Sequence, residues 1–471
     1  MNIKNNIIHG DCKEVMKEIP NDYVDAIITD PPYALVPTFP FSKNNSTKTN
    51  TKKGGFLGLE WDNSLPDVCI WEECLRVMKS GSFMFVFMTP RQDSLWRLVR
   101  DIESVGFVSS FTSLYHVYAS GFPKALNISN AIDKKLGCKR NPVPPTEQFN
   151  QGSIDTVDCF SSVRATDDSI SQESSFYKGW YTFSPKPAIE IITVYMKPLI
   201  YKSYTEQSIK YFEQFQKKKN ESTLKCGCVN FDECRIPYFS YEDKINSMGS
   251  WHKIKENSSY FIKRRSYYEP HNKGRFPSNL LVSDNIIDKG RTTCNAKIGQ
   301  ACKNKTKNTT KQDNNYTINY EREYNDCVAF YRYFDIDFWF KSQIQKLPID
   351  VQKTFPFFVV SKPCSSERDI GIENTHPCVK SLKIISYLIV LSTRENDIIL
   401  DPFIGSGTTA IVCKLLNRNY IGIEKEKEYY DIALKRMDYI NKNVNNKTTP
   451  KIIKEIIDIK NKCKQLTLND Y

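Results

Sequence analysis

Residues 24–33 read Val24-Asp25-Ala26-Ile27-Ile28-Thr29-Asp30-Pro31-Pro32-Tyr33. The first six form a continuous β-leaning segment, and Asp30-Pro31-Pro32-Tyr33 stops it. Pro31 and Pro32 lack N–H groups and fix φ, so the turn at the carboxyl end of the strand is stiff. Working outward, Asn6–His9 is a short apolar run ending in Gly10-Asp11, and a helical stretch, Lys13–Ile19, follows it. Asp67–Lys79 has apolar spacing at Val68, Trp71, Leu75 and Met78, which predicts an amphipathic helix broken by Gly81. Phe83–Met88 then reads as a buried strand, Ser94–Ser104 as a helix closed by Gly106, and Phe107–Val117 as a strand. Strands alternating with helices point to an α/β fold, a doubly wound and mostly parallel sheet covered on both faces.

The pattern lapses in the middle of the chain and returns near its end. Pro142–Ser175 is polar and irregular, Pro187–Lys197 reads as a further strand, and Pro198 to about Gln352 is aperiodic and rich in aromatic and basic residues. Ser42–Lys53 and Lys303–Tyr316 have the composition of flexible loops. Ile398–Leu400 and Tyr420–Ile423 read as strands, and Thr408–Leu416 and Tyr429–Tyr439 as helices. The simplest organisation is one α/β core assembled from both ends of the chain: 1–197 and 356–440, around an inserted region, 198–355, with a helix or tail at 441–471.

Composition excludes little. Across 471 residues, Lys and Arg number 66 and Asp and Glu 54, a formal net charge of +12. The excess permits a nucleic-acid partner without requiring one. The longest apolar runs, near Ile384–Leu391 and Phe83–Met88, fall short of the roughly 18 residues of a membrane span. Met1–Gly10 carries no apolar core of a signal peptide. The 15 cysteines are scattered along a chain without such a signal, which points to a reduced, intracellular protein.

Two constellations carry chemistry. In Asp401-Pro402-Phe403-Ile404-Gly405-Ser406-Gly407-Thr408-Thr409, two glycines on a strand-to-helix turn let a ligand approach the backbone, facing the N–H groups of the next helix. Glu424 closes the following strand, where an acidic residue usually meets ribose hydroxyls. No Lys follows the glycines as a triphosphate site would need, and a purely structural tight turn is the competing reading. At the other motif, the Asp30 carboxylate beside a free carbonyl makes an acceptor pair suited to an amino group. Tyr33 adds a plane for stacking on a base. Alone, those four residues equally describe a Pro-rich strand exit.

Together the two motifs resemble the S-adenosylmethionine-dependent DNA amino-methyltransferases, which modify adenine N6 or cytosine N4. The motif order is similar to that family's β class. Gly10-Asp11 resembles the family's acidic contact to the cofactor adenine, and Thr375-His376-Pro377-Cys378-Val379-Lys380-Ser381 its segment beside the methionine moiety. Ser120-Gly121-Phe122-Pro123-Lys124, Ile132-Asp133-Lys134 and Gly274-Arg275-Phe276-Pro277-Ser278-Asn279 look like the version carried by phages and prophages. The resemblance implies Asp30, Pro31, Pro32 and Tyr33 as catalytic residues. It implies Asp11, His376, Lys380, Asp401, Phe403, Gly405, Gly407, Thr408 and Glu424 as the S-adenosylmethionine site. A leading Asp30 leans toward adenine N6, with cytosine N4 as the alternative. It further implies an inserted target-recognition region and a base flipped out of double-stranded DNA.

Trp251–Phe276 interleaves six aromatics with a net charge of +5 and is the expected DNA contact, through Lys263, Arg264, Arg265 and Arg275. A solvated face with core aromatics is the bland alternative. Cys226-Gly-Cys228 and Cys234 lack the paired spacing of a structural zinc site, so no metal is expected. Ile452, Ile453, Ile456, Ile457 and Ile459 form a helical stripe suited to packing, and a homodimer is left open. A dinucleotide-binding oxidoreductase would leave Asp30–Tyr33 and His376–Lys380 unexplained.

Overall fold

A computed structural model describes residues 3–34, 60–117, 125–138, 170–183, 188–217, 222–238, 240–246, 271–282, 335–347, 374, 376 and 379–445. Among these residues eight strands form one sheet: β1 (Asn6–His9), β2 (Val24–Thr29), β3 (Met78–Met88), β4 (Leu114–Val117), β5 (Ile189–Met196), β6 (Leu280–Val282), β7 (Ile398–Asp401) and β8 (Asn419–Glu424). Their spatial order is β1-β8-β7-β2-β3-β5-β4-β6. β1–β8, β8–β7, β7–β2, β2–β3 and β4–β6 are parallel pairs, and β5 runs antiparallel to β3.

The unbroken apolar strands are explained by burial on both faces. In β2, Ala26 and Ile28 enter one hydrophobic cluster and Val24 and Ile27 the other. In β3, Phe83, Phe85 and Phe87 point to the first and Met84, Val86 and Met88 to the second. Period-two alternation thus fills two cores instead of facing one of them to water.

Several elements differ from the sequence reading. The helix begun at Val68 ends at Val77, because Met78 already pairs with Val24 at the start of β3. Gly81 does not break a helix. It lies inside β3 at φ +79°, beside a register shift between Val24 and Ala26, where a Cβ would stand 2.6 Å from the Lys225 carbonyl oxygen. The strand expected over Phe107–Val117 is reduced to β4, with Val108 making an isolated bridge to Met196. β6 and the helix Ile336–Ile344 arise from the stretch read as aperiodic, and Leu281, Ile336, Trp339 and Phe340 join the main core.

The chain divides into two compact units, Met1–Val117 with Glu190–Tyr471, and Tyr118–Ile189. These limits differ from the 1–197, 198–355 and 356–440 of the sequence reading, since apolar side chains between 234 and 344 feed the main core. The smaller unit packs the helices Ile128–Leu136 and Gln172–Phe176 together through buried Ser129 and Ser174, whose hydroxyls lie 2.7 Å apart. The Lys263, Arg264 and Arg265 cluster, Ser42–Lys53, Lys303–Tyr316 and the isoleucine stripe at 452–459 lie outside the described residues.

The strand order places the site. From β2 the chain proceeds to β3 on one side, and from β7 to β8 on the other, so the carboxyl ends of β2 and β7 flank a topological switch point. Ligands of open α/β sheets bind at that point.

Candidate active site

Asp30 follows β2 directly, and its two oxygens serve different donors. Tyr33 Oη donates to Oδ1 at 2.5 Å, and Lys380 Nζ meets Oδ2 at 2.6 Å. Lys380 also donates to Tyr33 Oη at 3.2 Å, lies 3.0 Å from Glu190 Oε1, and sits 5.6 and 5.4 Å from the Tyr33 and Phe87 ring centroids. Glu190, at the start of β5, stands 3.6 Å from Nδ1 of buried His116 on β4. The turn itself is pinned by buried Asp62, whose Oδ1 accepts from the Tyr33 and Ala34 N–H groups at 2.9 and 3.1 Å. Stiff prolines and this anchor hold the Asp30 carboxylate and the Tyr33 ring on one rim.

Burial shapes the acid–base character here. It pushes the Asp30 carboxyl above its ordinary range, against the pull of the Lys380 charge. It likewise raises the Tyr33 hydroxyl well above its ordinary value, with the Asp30 charge adding to the effect. Burial would also raise Glu190, but Lys380 and His116 outweigh it and hold that carboxyl well below the usual range.

The glycine turn follows β7. The Asp401 carboxylate accepts from Thr29 Oγ1 at 2.8 Å, Thr409 Oγ1 at 2.7 Å and the Phe403 N–H at 3.2 Å. Gly405 has φ +52°, and a Cβ there would stand 2.9 Å from Nε2 of His376. The imidazole therefore lies directly on the turn, its ring 4.3 Å from that of Tyr429. The Gly405 N–H donates to Glu424 Oε2 at 2.8 Å and the Glu426 N–H to Oε1 at 2.8 Å. Gly407 caps the helix Thr408–Leu415, and fully buried Arg436 braces the turn by donating to the Ser406 carbonyl at 2.6 Å. On β8's other side, Gly10 donates to the Glu424 carbonyl at 2.9 Å, which brings Asp11 beside this rim. Asp11 caps the following turn through the Lys13 N–H and pairs with Lys425 at 3.1 Å.

Both constellations open into one cleft of about 700 Å³. It is lined by every catalytic and cofactor residue expected from the sequence except Gly407, which instead faces Ala433. Within that lining Asp401 is fully engaged in tying the two strand ends together. Thr375, Pro377 and Cys378 lie outside the described residues. Arg275 is not part of the site. It is buried, pairs with Asp243, and lies 4.9 Å from the Tyr238 ring centroid. The carboxylate neutralises this guanidinium inside the protein, which corrects its expected place at a DNA surface.

Three contributors were missed: Asp62, Glu190 and His116. A glutamate inside the apolar run Ile189-Glu190-Ile191-Ile192 was a usable signal, since a buried carboxylate requires a partner. Asp62 offered none.

The lining suits S-adenosylmethionine. Asp11 and Glu424 supply acceptors for hydroxyl and amino groups, Phe403 an apolar wall, and Gly405 a place where backbone meets ligand without a side chain. The lysines on the rim are paired with carboxylates: Lys13 with Asp67 at 2.7 Å, Lys425 with Asp11, Lys380 with Asp30. Such a rim favours a cationic ligand over a polyphosphate.

A family model described as DNA methylase matches residues 24–435. The Type II methyltransferase M2.LlaDCHI of Lactococcus lactis subsp. cremoris is 56% identical over 63 residues, 13% of this chain and 23% of that protein. M2.MboI of Moraxella bovis is 45% identical over 84 residues, 18% of this chain and 31% of that one. The alignments thus span less than a third of these relatives' length. A solved PvuII DNA methyltransferase (cytosine-N4-specific) aligns with 93% of this chain and 92% of its own, at 13% identity and a TM-score of 0.36. The matched span of the family model begins at the strand that delivers Asp30 and ends beyond the one that delivers Glu424, so it contains both halves of the cleft, and the chain belongs to the DNA methylase family.

Proposed function

We propose that the protein transfers a methyl group from S-adenosylmethionine to the exocyclic amino group of a base flipped out of double-stranded DNA, adenine N6 in the first place. The observation that carries this reading is the shared cleft: Asp30 and Tyr33 on one rim, the Gly405 turn and Glu424 on the other. When bound, S-adenosylmethionine supplies an electrophilic methyl group on a sulfonium. Glu424, Asp11, Phe403 and the Gly405 backbone would hold it, with His376 packed against the turn.

The chain's own residues do the rest by placement. Asp30 and the Pro31 carbonyl accept hydrogen bonds from the amino group and turn its lone pair toward the methyl donor. The Asp30 carboxylate also stabilises the positive charge that develops on that nitrogen as it attacks. The rigid turn and the anchored Tyr33 ring hold the base in line, which is where most of the rate would come from. An exocyclic amine attacks directly, so no cysteine nucleophile is needed.

Target choice falls to 198–355 and its basic, aromatic stretch in this proposal, with DNA as the partner. Among the described residues no helix is long and apolar enough to cross a membrane, and a cytoplasmic place of action fits the proposal.

The test is Asp30→Ala. Methyl transfer to DNA should vanish while S-adenosylmethionine binding stays near that of the wild type. Undiminished turnover would sink the assignment. Mapping the methylated bases in DNA from cells expressing the protein separates adenine N6 from cytosine N4 and gives the target sequence.

A further inference from the structure

We propose that Glu190 is a positioning residue: it gives the Lys380 ammonium a second seat, so that the target amino group can take over the contact with Asp30. The inference rests on the methyl-transfer reading above. Both oxygens of Asp30 already receive a donor, Lys380 at 2.6 Å and Tyr33 at 2.5 Å. An incoming N–H must share or replace one of them.

Tyr33 is the harder to move, since its own N–H is tethered to Asp62. Lys380 ends a long flexible stem, and its Nζ already lies 3.0 Å from Glu190. The surroundings make that second carboxylate necessary. The Lys380 side chain is only 13% exposed, and the Phe87 and Tyr33 rings close in on it. An ammonium lifted off Asp30 here without another anion would be a buried charge short of a partner, which is costly. Glu190 removes that cost with a displacement of Nζ that keeps it between the same two carboxylates. His116, its Nδ1 3.6 Å away and itself buried, stands beside Glu190. The Lys380 charge, with His116 alongside, also holds the Glu190 carboxyl well below its usual range, so the seat is an anion at working pH.

The geometry therefore separates two duties. Asp30 meets the substrate. Glu190 acts through Lys380 and should not touch the substrate or the cofactor.

The experiment uses the full chain as Glu190→Gln, Glu190→Asp, Lys380→Met and the double variant Glu190→Gln/Lys380→Met. Transfer of labelled methyl groups to unmodified duplex DNA gives kcat and KM, equilibrium binding gives the affinity for S-adenosylmethionine, and thermal melting checks the fold. Glu190→Gln should lower kcat about 10- to 100-fold, as expected for a misplaced reacting group. Its S-adenosylmethionine affinity should be unchanged, and Glu190→Asp should recover part of the loss. In the Lys380→Met background, adding Glu190→Gln should cost nothing further, because the two residues act as one unit.

A wild-type kcat in Glu190→Gln, losses that multiply in the double variant, or a parallel fall in S-adenosylmethionine affinity would each overturn the proposal. Should Lys380→Met fail to fold, the comparison of Gln with Asp at 190 decides alone: equal losses overturn it. A wild-type protein that methylates no DNA overturns the functional reading itself, and this inference with it.

Discussion

Thr29 Oγ1 donates a 2.8 Å hydrogen bond to Asp401 Oδ1 across 372 residues of chain. Thr29 is the last residue of the strand that delivers Asp30, and Asp401 the last of the strand that delivers the glycine turn. One buried carboxylate thus fixes the spacing between the Asp30 and Gly405 rims of the cleft.

Burial raises the Asp401 carboxyl from an ordinary 3.8 to about 7, against the hydrogen bonds from Thr409 and Thr29. A carboxyl raised in the folded state favours folding fully below its unfolded value and loses that contribution as pH rises through the folded one. The window therefore runs from about pH 4 to about pH 7, with a total of about 4 kcal/mol. Asp401→Asn has no proton to lose. Measured by denaturation, the wild type should lose stability relative to Asp401→Asn as pH rises from 4 to 8. A difference that stays flat across that range would show that Asp401 is not held protonated.

Gly422 and Gly405 separate packing from binding. A Cβ at Gly422 would stand 2.2 Å from Ile404 Cδ1 and 3.3 Å from its Cβ, so Gly422→Ala must displace the buried Ile404 side chain beneath the glycine turn. It should cost about 1–3 kcal/mol in stability, as overpacking does. A Cβ at Gly405 meets His376 and borders the cleft, and at φ +52° it strains the backbone, so Gly405→Ala should lose stability too but lose more S-adenosylmethionine affinity than Gly422→Ala. Equal affinities in the two variants would contradict this division.

Arg436 offers a check on the turn from behind. Its Nη1 donates to the Ser406 carbonyl at 2.6 Å and to Ser406 Oγ at 2.9 Å without entering the cleft. Arg436→Met leaves that carbonyl without this donor, at a cost of about 1–3 kcal/mol. S-adenosylmethionine affinity should fall while the pH profile of methyl transfer keeps its shape. A changed profile would mean that Arg436 touches the reacting groups.

Local signals made much of this legible. Val24–Thr29 and Phe83–Met88 announced strands because every side chain there is apolar or buried, and Pro31-Pro32 and Gly405-Ser406-Gly407 announced what leaves those strands. What stayed hidden depends on contacts made across the sheet. Gly81 reads as a breaker in any window, and only the approach of the Lys225 carbonyl shows why a strand needs it. Glu190 and His116 sit far apart in sequence and meet only because β5 and β4 are neighbours. Lys380 was assigned to the cofactor through its segment, yet its ammonium lies against Asp30, a placement that no spacing encodes.

The proposed DNA contact through Lys263, Arg264 and Arg265 can be separated from Arg275 by charge removal. The stretch from Trp251 to Phe276 was expected to act as a block, but Arg275 is spent on Asp243 in the interior. Removing one partner of a buried ion pair typically costs about 3–5 kcal/mol, so Arg275→Ala should lower the melting temperature markedly. It should leave the salt dependence of DNA affinity unchanged, since a buried guanidinium displaces no counterions from DNA. Lys263, Arg264 and Arg265 should behave in the opposite way. If each meets one phosphate, their combined change to Ala reduces the slope of log K against log salt by about 2.7 and leaves stability nearly intact. A slope that moves with Arg275→Ala and not with the triple change would relocate the DNA contact to the Arg275 side of this stretch.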